Sequence, residues 1–308
     1  MISFLSACVV QGVPLLFATL GEILHEKAGH LNLGVEGLMF MGAIMGFTVG
    51  LSTQSPYLAI LAALAAGGFG SLIYAILTVT LRADQNVTGL TLTIFGTGFA
   101  SFKGQSVMGC VSSPAITEFF RPKAIPGLSE IPVIGPILFD QNVLIYLGYI
   151  VVILLSIYLY KTKWGLNLRA VGENAASADA SGINVTLYKY VHIIVGGALC
   201  GLGGAYMSLV TVPIWQDNII AGRGWIAVAL VIFATWNPTK AWFCSVFFGG
   251  LSILGLRLQS IGFGISQYLI DMVPYIATII IIIISTRKNK KENLPPANLG
   301  QSYFREDR

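Results

Sequence analysis

Apolar residues run through this chain in long blocks divided by short polar turns. The blocks cover about residues 3–24, 34–52, 56–81, 87–106, 141–160, 190–212, 222–236, 240–257 and 268–286. A helix rising 1.5 Å per residue needs roughly 20 residues to cross about 30 Å of hydrocarbon, and most of these blocks meet that length. The pattern predicts an all-α polytopic membrane protein with about nine transmembrane helices, within a range of about eight to ten. The 222–236 block is short and reads as a broken or half helix. The transmembrane domain then covers 1–286. Residues 287–308 form a basic tail that reads as disordered, because it combines charge with Pro295 and Pro296.

Composition sharpens this class. Hydrophobic residues make up 55% of the chain and charged residues 10%, against about 25% charged in a soluble domain. The 35 glycines fit close helix packing in lipid. The tail cations Arg287, Lys288, Lys290, Lys291, Arg305 and Arg308 read as a solvated end, not a nucleic-acid arm. Placing that tail in the cytoplasm and alternating backwards leaves Lys27, Arg82, Lys161, Lys163, Arg169, Lys189 and Lys240 on the same side. Lys103, Arg121, Lys123, Arg223 and Arg257 then fall outside. The cytoplasmic side holds 13 of the 18 Lys and Arg, the bias that membrane insertion selects. An external loop, 106–141, carries five prolines that stiffen it and prevent a long helix.

Two segments echo each other. Pro56 precedes Gly67-Gly68 and Pro238 precedes Gly249-Gly250 at the same spacing. The assigned topology gives them opposite orientation, as in inverted repeats.

Enzymatic signals are missing from the sequence. There is no phosphate-binding G-x-x-x-x-G-K-[ST] loop. The cysteines are scattered, and His25, His30 and His192 make no usable metal pair, so no metal or cofactor site is assigned to this chain. Charges within the blocks are scarce, which argues against an ion-coupled secondary transporter. Glu36 is an exception, inside AGHLNLGVEG beside Asn32. The two residues either belong to a broken element lining a translocation path or are structural hydrogen-bonders at the start of a helix. Arg223 and Trp225, with Asn86 and Gln105 at the two ends of the fourth block, complete the candidate path set.

The polar segment 161–189 interrupts the hydrocarbon. Asn174 is a good N-cap, Ala175, Ala176, Ala178 and Ala180 favour helix with little bulk, and Gly182 suits the C′ position. The prediction is about two helical turns, with Gly165 and Gly172 ahead of them and Arg169 and Glu173 at their approach.

WGLNLRAVGENAASADASGINV resembles the cytoplasmic coupling loop of ABC importer permeases of the ribose and nucleoside class. LFATLGEILHEKAGHLNLGVEGLMFMGA, ADQNVTGLTLTIFG, GGALCGLGGAYMSL and GRGWIAVALVIFATWNPTKA follow the family's other patterns in order, from about residue 14 to 285. The chain most resembles the shorter permease of nucleoside importers served by basic membrane lipoprotein-type binding proteins. Ala175 stands where that pattern carries proline, and His30 where it carries an aliphatic residue. The resemblance implies a type II-like importer permease in the bacterial cytoplasmic membrane, with the C-terminus cytoplasmic. Gly165, Arg169, Gly172, Glu173, Asn174, Ala178, Asp179 and Gly182 would seat in a separate ATPase subunit that uses the ATP and magnesium. A second permease subunit, different or identical, would complete the path, and an extracytoplasmic solute-binding lipoprotein would deliver a nucleoside or related polar ring compound. Ribose, galactose and riboflavin are the alternative solutes.

Overall fold

A computed structural model describes residues 2–260, 267–286 and 294–304. Every apolar block is helical: α1 (Ile2–Lys27), α2 (Val35–Thr53), α3 (Pro56–Ala75, extended by a wide turn to Thr80), α4 (Gln85–Gly104), α6 (Val143–Lys161), α9 (Val185–Tyr206, extended to Thr211), α10 (Arg223–Phe233), α11 (Pro238–Ser260) and α12 (Gln267–Thr286). Short helices α5 (Pro114–Phe119), α7 (Lys163–Glu173) and α8 (Ala175–Ala180) lie in the polar connections. Among the described residues, five helices are long and apolar enough to cross a bilayer: α1, α2, α3 with its extension, α6, and α9 with its extension. Eleven-residue α10 reaches only about 16 Å at 1.5 Å per residue and is a half helix.

The helices start where the polar turns supply acceptors for their first free N–H groups. The Asp84 carboxylate accepts from the Val87 N–H at 2.8 Å, Asn142 from Ile145 at 3.1 Å, and Asn184 from Leu187 at 3.0 Å. Helix α9 packs against α1, α2 and α3 through glycines. A Cβ on Gly204 would overlap the Met39 carbonyl, and one on Gly42 would overlap the Gly201 backbone. Backbones this close collect dispersion contacts that lipid cannot replace. Phe17, Phe47, Tyr74 and Tyr206 fill the core, while Phe69, Ile94, Phe102 and Leu154 stay exposed on the helix flanks.

At one end of the bundle lie Lys27, Arg82 and α7. At the other lies the 106–141 segment, which as expected has no long helix. It does hold a small antiparallel pairing of β1 (Lys123–Ala124) with β2 (Asp140–Gln141). The Arg257 guanidinium donates to Ser3 Oγ at 3.3 Å near the start of α1.

The α1–α2 connection, residues 28–34, is not helical and climbs along α4. The Leu31 N–H donates to Gln85 Oε1 at 2.8 Å, and Thr93 Oγ1 donates to the Leu33 carbonyl at 2.9 Å. Gly37 then packs against Leu92–Thr93 and Gly96. Those positions lie about 10–17 Å from the start of α4, so α2 begins near the middle of that helix. Helix α10 begins there too, since the Gly222 and Gly224 N–H groups both donate to Glu36. From there α10 returns towards the Lys27 end, where Trp236 Nε1 donates to Glu26 Oε2 at 2.5 Å. Arg223 is therefore beside Glu36 at mid-depth, not at the outer end where alternating whole spans had placed it. The alternation rule fails because α10 crosses only half the bundle.

The tail also departs from expectation. Leu294–Phe304 is seated on the bundle, with the Asn298 N–H donating to the Gly172 carbonyl at 3.0 Å. Three of its anchors are backbone donors, which composition does not register, and the Tyr303 and Phe304 side chains find their partners only on the folded bundle. Tail residues 287–293 and 305–308 lie outside the described residues.

Candidate coupling surface and translocation path

Segment 161–189 contains two helices where the sequence predicts one. Helix α7 is capped by Thr162, whose Oγ1 accepts from the Gly165 N–H at 3.1 Å. Gly165 lies on the Tyr158 carbonyl and Gly172 on the Lys27 carbonyl, each too close for a Cβ. These glycines mark points of close backbone approach. Leu168 and Val171 are buried in one apolar cluster with Leu24 of α1 and Ala28 just beyond it. The Arg169 guanidinium sits 5.4 Å from the centre of the Tyr160 ring.

Helix α8 forms where the residues predict it. Asn174 Oδ1 accepts from the Ser177 N–H at 2.9 Å. At its end, the Gly182 N–H reaches the Asp179 carbonyl at 2.9 Å, and the Ile183 N–H reaches the Ala178 carbonyl at 3.1 Å. With Gly182 at φ +82°, this is the left-handed helix stop that glycine adopts without steric cost. Ala175 and Ala178 face inward, leaving Ala176, Ser177, Ala180 and Ser181 exposed on a smooth outer face. Glu173 and Asp179 point towards the tail: the Ala297 N–H donates to Glu173 Oε2 at 3.2 Å, and the Tyr303 hydroxyl donates to Asp179 Oδ2 at 2.8 Å.

Of the path candidates, the structure joins Glu36, Arg223 and Trp225. Glu36 Oε1 accepts from Gly222 at 2.9 Å and Oε2 from Gly224 at 2.6 Å. One carboxylate thus lies in the first turn of α2 and caps α10, where two helix dipoles place positive potential. Gly222 sits at φ +79°, which lets the chain turn into α10. Arg223 Nη1 donates to the Ile220 carbonyl at 2.9 Å, and Trp225 is partly exposed alongside.

Asn32 serves a different network. Its backbone N–H donates to Glu22 Oε1 at 3.0 Å, and its Oδ1 accepts from Gly34 at 2.8 Å. Glu22 Oε2 lies 2.7 Å from His25 Nδ1, and His25 Nε2 lies 2.8 Å from the Ile193 carbonyl. A carbonyl only accepts, so His25 donates its Nε2–H to Ile193 and turns Nδ1 towards Glu22. Asn86 and Gln105 are exposed at opposite ends of α4 and join neither group.

Sequence reasoning missed Glu22, His25 and Gln85. A signal existed: Glu22 and His25 are three apart within an apolar span, where ionisable groups rarely occur without a partner.

Apolar helices of spanning length, with α2 and the half helix α10 both beginning near the middle of α4, define a multi-pass membrane architecture. The chain matches, over residues 4–283, the family described as the branched-chain amino acid transport system permease component, and it belongs to that family. It is a transport subunit, not an enzyme. It is 36% identical to the guanosine ABC transporter permease protein NupQ of Bacillus subtilis, over 89% of each chain. It is also 36% identical to the nucleoside ABC transporter permease protein NupC of Lactococcus lactis, over 90% of each. TsgC13 of Haloferax volcanii, which carries a provisional glucose ABC permease name, is 34% identical over 98% of this chain and 97% of its own. No solved structure matches significantly.

Proposed function

We propose that this chain is one of two membrane subunits of an ATP-driven importer for a nucleoside or a related polar ring compound. The observation that carries the reading is α8: a short helix closed at both ends, fixed to the bundle by α7, with only small residues on its outer face. Such a surface fits a groove on a cytoplasmic ATPase, and the Lys27 end would be the cytoplasmic end. Displacement of α8 would pass through Gly172 to Lys27, and along residues 28–34 to Glu36 and α10. The path would run past Glu36, Arg223 and Trp225, with Asn32 holding the non-helical segment.

Helix α4 exposes Thr91, Gly98 and Ser101 among Val87, Ile94 and Phe102 on one flank, a face that a second permease would cover. Asn86 and Gln105 would then flank the path between subunits. A solute-binding lipoprotein would dock on the 106–141 ledge. An inverted arrangement of about nine spans draws support from α3 and α11. Both start at proline, run in opposite directions and pack their glycine pairs on long helices, α9 and α1 respectively.

Sequence identity to NupQ and NupC favours a nucleoside, and TsgC13 supports a simple sugar as the second reading. Ala176→Trp and Ala180→Trp, both on the exposed face, should reduce ATPase co-purification at least tenfold without lowering permease yield. Full ATPase recovery and uptake in both variants would count against the coupling role. Competition of guanosine uptake by unlabelled nucleoside, but not by glucose, decides between the solutes. Uptake into vesicles without any ATPase would return the ion-coupled carrier.

A further inference from the structure

The coupling helix is held by the chain's own C-terminal segment as well as by α7. The Asn298 N–H donates to the Gly172 carbonyl at 3.0 Å, and the Gly300 N–H donates to the Gly29 carbonyl at 3.3 Å. The Ala297 N–H donates to Glu173 at 3.2 Å, and the Tyr303 hydroxyl donates to Asp179 at 2.8 Å. Phe304 lies 3.5 Å beneath the Arg82 guanidinium, on the turn between α3 and α4. Pro296 is buried against Gly172. Two tight turns set this shape: the Leu299 N–H reaches the Pro296 carbonyl at 3.0 Å, and the Gln301 N–H reaches Asn298 at 3.2 Å. Gly300 adopts φ +79° between the anchors.

Eleven residues thus tie together the α7–α8 coupling element, the α1–α2 junction and the α3–α4 turn. The same residues leave Ala176, Ser177, Ala180 and Ser181 exposed. A segment acting as a plug would cover that face, whereas this one grips α8 from the side and behind. Gly29 is the point where α1 gives way to the non-helical segment leading to Glu36, so the tail bridges the two ends of the proposed mechanical route. Without it, an α8 of six residues would rely on α7 and its own two caps, and helices this short are marginal alone.

We propose that Leu294–Phe304 is a strap that locks the coupling helix to the α1–α2 junction, so that movement of the ATPase is transmitted to the path instead of being absorbed by a loose loop. This inference rests on the coupling role proposed for α8.

The test uses the assembled importer in proteoliposomes, with guanosine as the probe. The full-length double variant Asn298→Pro/Tyr303→Phe removes one backbone donor and one hydroxyl, and a truncation after Asn293 removes the whole strap. Both variants should retain the ATPase, exchange the amides of residues 175–182 at least tenfold faster, and import several-fold less guanosine per ATP hydrolysed. Unchanged exchange and transport would overturn the proposal. Increased uptake would replace it with an inhibitory role. Loss of ATPase binding would make the tail a direct docking element and not a brace. If the intact chain fails to bind an ATPase, the coupling reading itself fails; amide exchange in the isolated permease still decides whether the strap pins α8.

Discussion

Removing the Glu36 carboxylate should free α10 from α2. Both carboxylate oxygens accept backbone N–H bonds from the start of α10, at 2.9 and 2.6 Å, and the residue is 5% exposed. Hydrogen bonds to a carboxylate contribute roughly 1.5–3 kcal/mol each, and orphaned buried donors keep their desolvation cost. Together with the lost charge at a helix N-terminus, Glu36→Ala should cost about 3–5 kcal/mol in the local docking of α10. At about 1.4 kcal/mol per tenfold, the open population rises by roughly two to three and a half orders of magnitude. Ala227, fully buried on α10 near Thr19, reports that opening. In an Ala227→Cys background, maleimide labelling followed by peptide mass spectrometry distinguishes the new thiol from the four native cysteines. Glu36→Ala should raise its labelling rate by about two orders of magnitude, and Glu36→Gln, which keeps one acceptor, by about one. Labelling in Glu36→Ala as slow as in the parent would refute the claim that this carboxylate holds the half helix.

Helix packing predicts a contrast between two glycines. Gly204→Ala drives a methyl into the Met39 carbonyl and should abolish monodisperse protein on size-exclusion chromatography, since forced overpacking costs about 1–3 kcal/mol or more. Gly98→Ala meets nothing within 4 Å in this chain and should leave the monomer's elution profile unchanged. Asn174→Ala removes the cap of α8 at a cost of about 1 kcal/mol, which should show as about fivefold faster amide exchange at Ser177 with the rest of the bundle unaffected.

The sequence was legible wherever the deciding interaction is local. Solvent transfer fixes which blocks become helices, so all nine apolar runs are helical within a few residues of their expected limits. Asn174 and Gly182 set the ends of α8 through bonds spanning no more than five residues. Charge scarcity and small-residue packing identified the membrane class for the same reason, because each residue carries that information alone.

Tertiary structure decided whatever depends on which backbones meet. Nothing near Glu36 in sequence announces that it caps a helix 186 residues away, or that Arg223 stands at mid-depth. That Gly165 and Gly172 are points of close backbone approach shows only once the Tyr158 and Lys27 carbonyls are seen against them. The polar tail reads as solvated because side-chain composition is silent about backbone donors, and those donors become anchors only when Gly29 and Gly172 present carbonyls in reach. Local propensity is written residue by residue, whereas a hydrogen bond across the bundle exists only once packing has brought its two halves together.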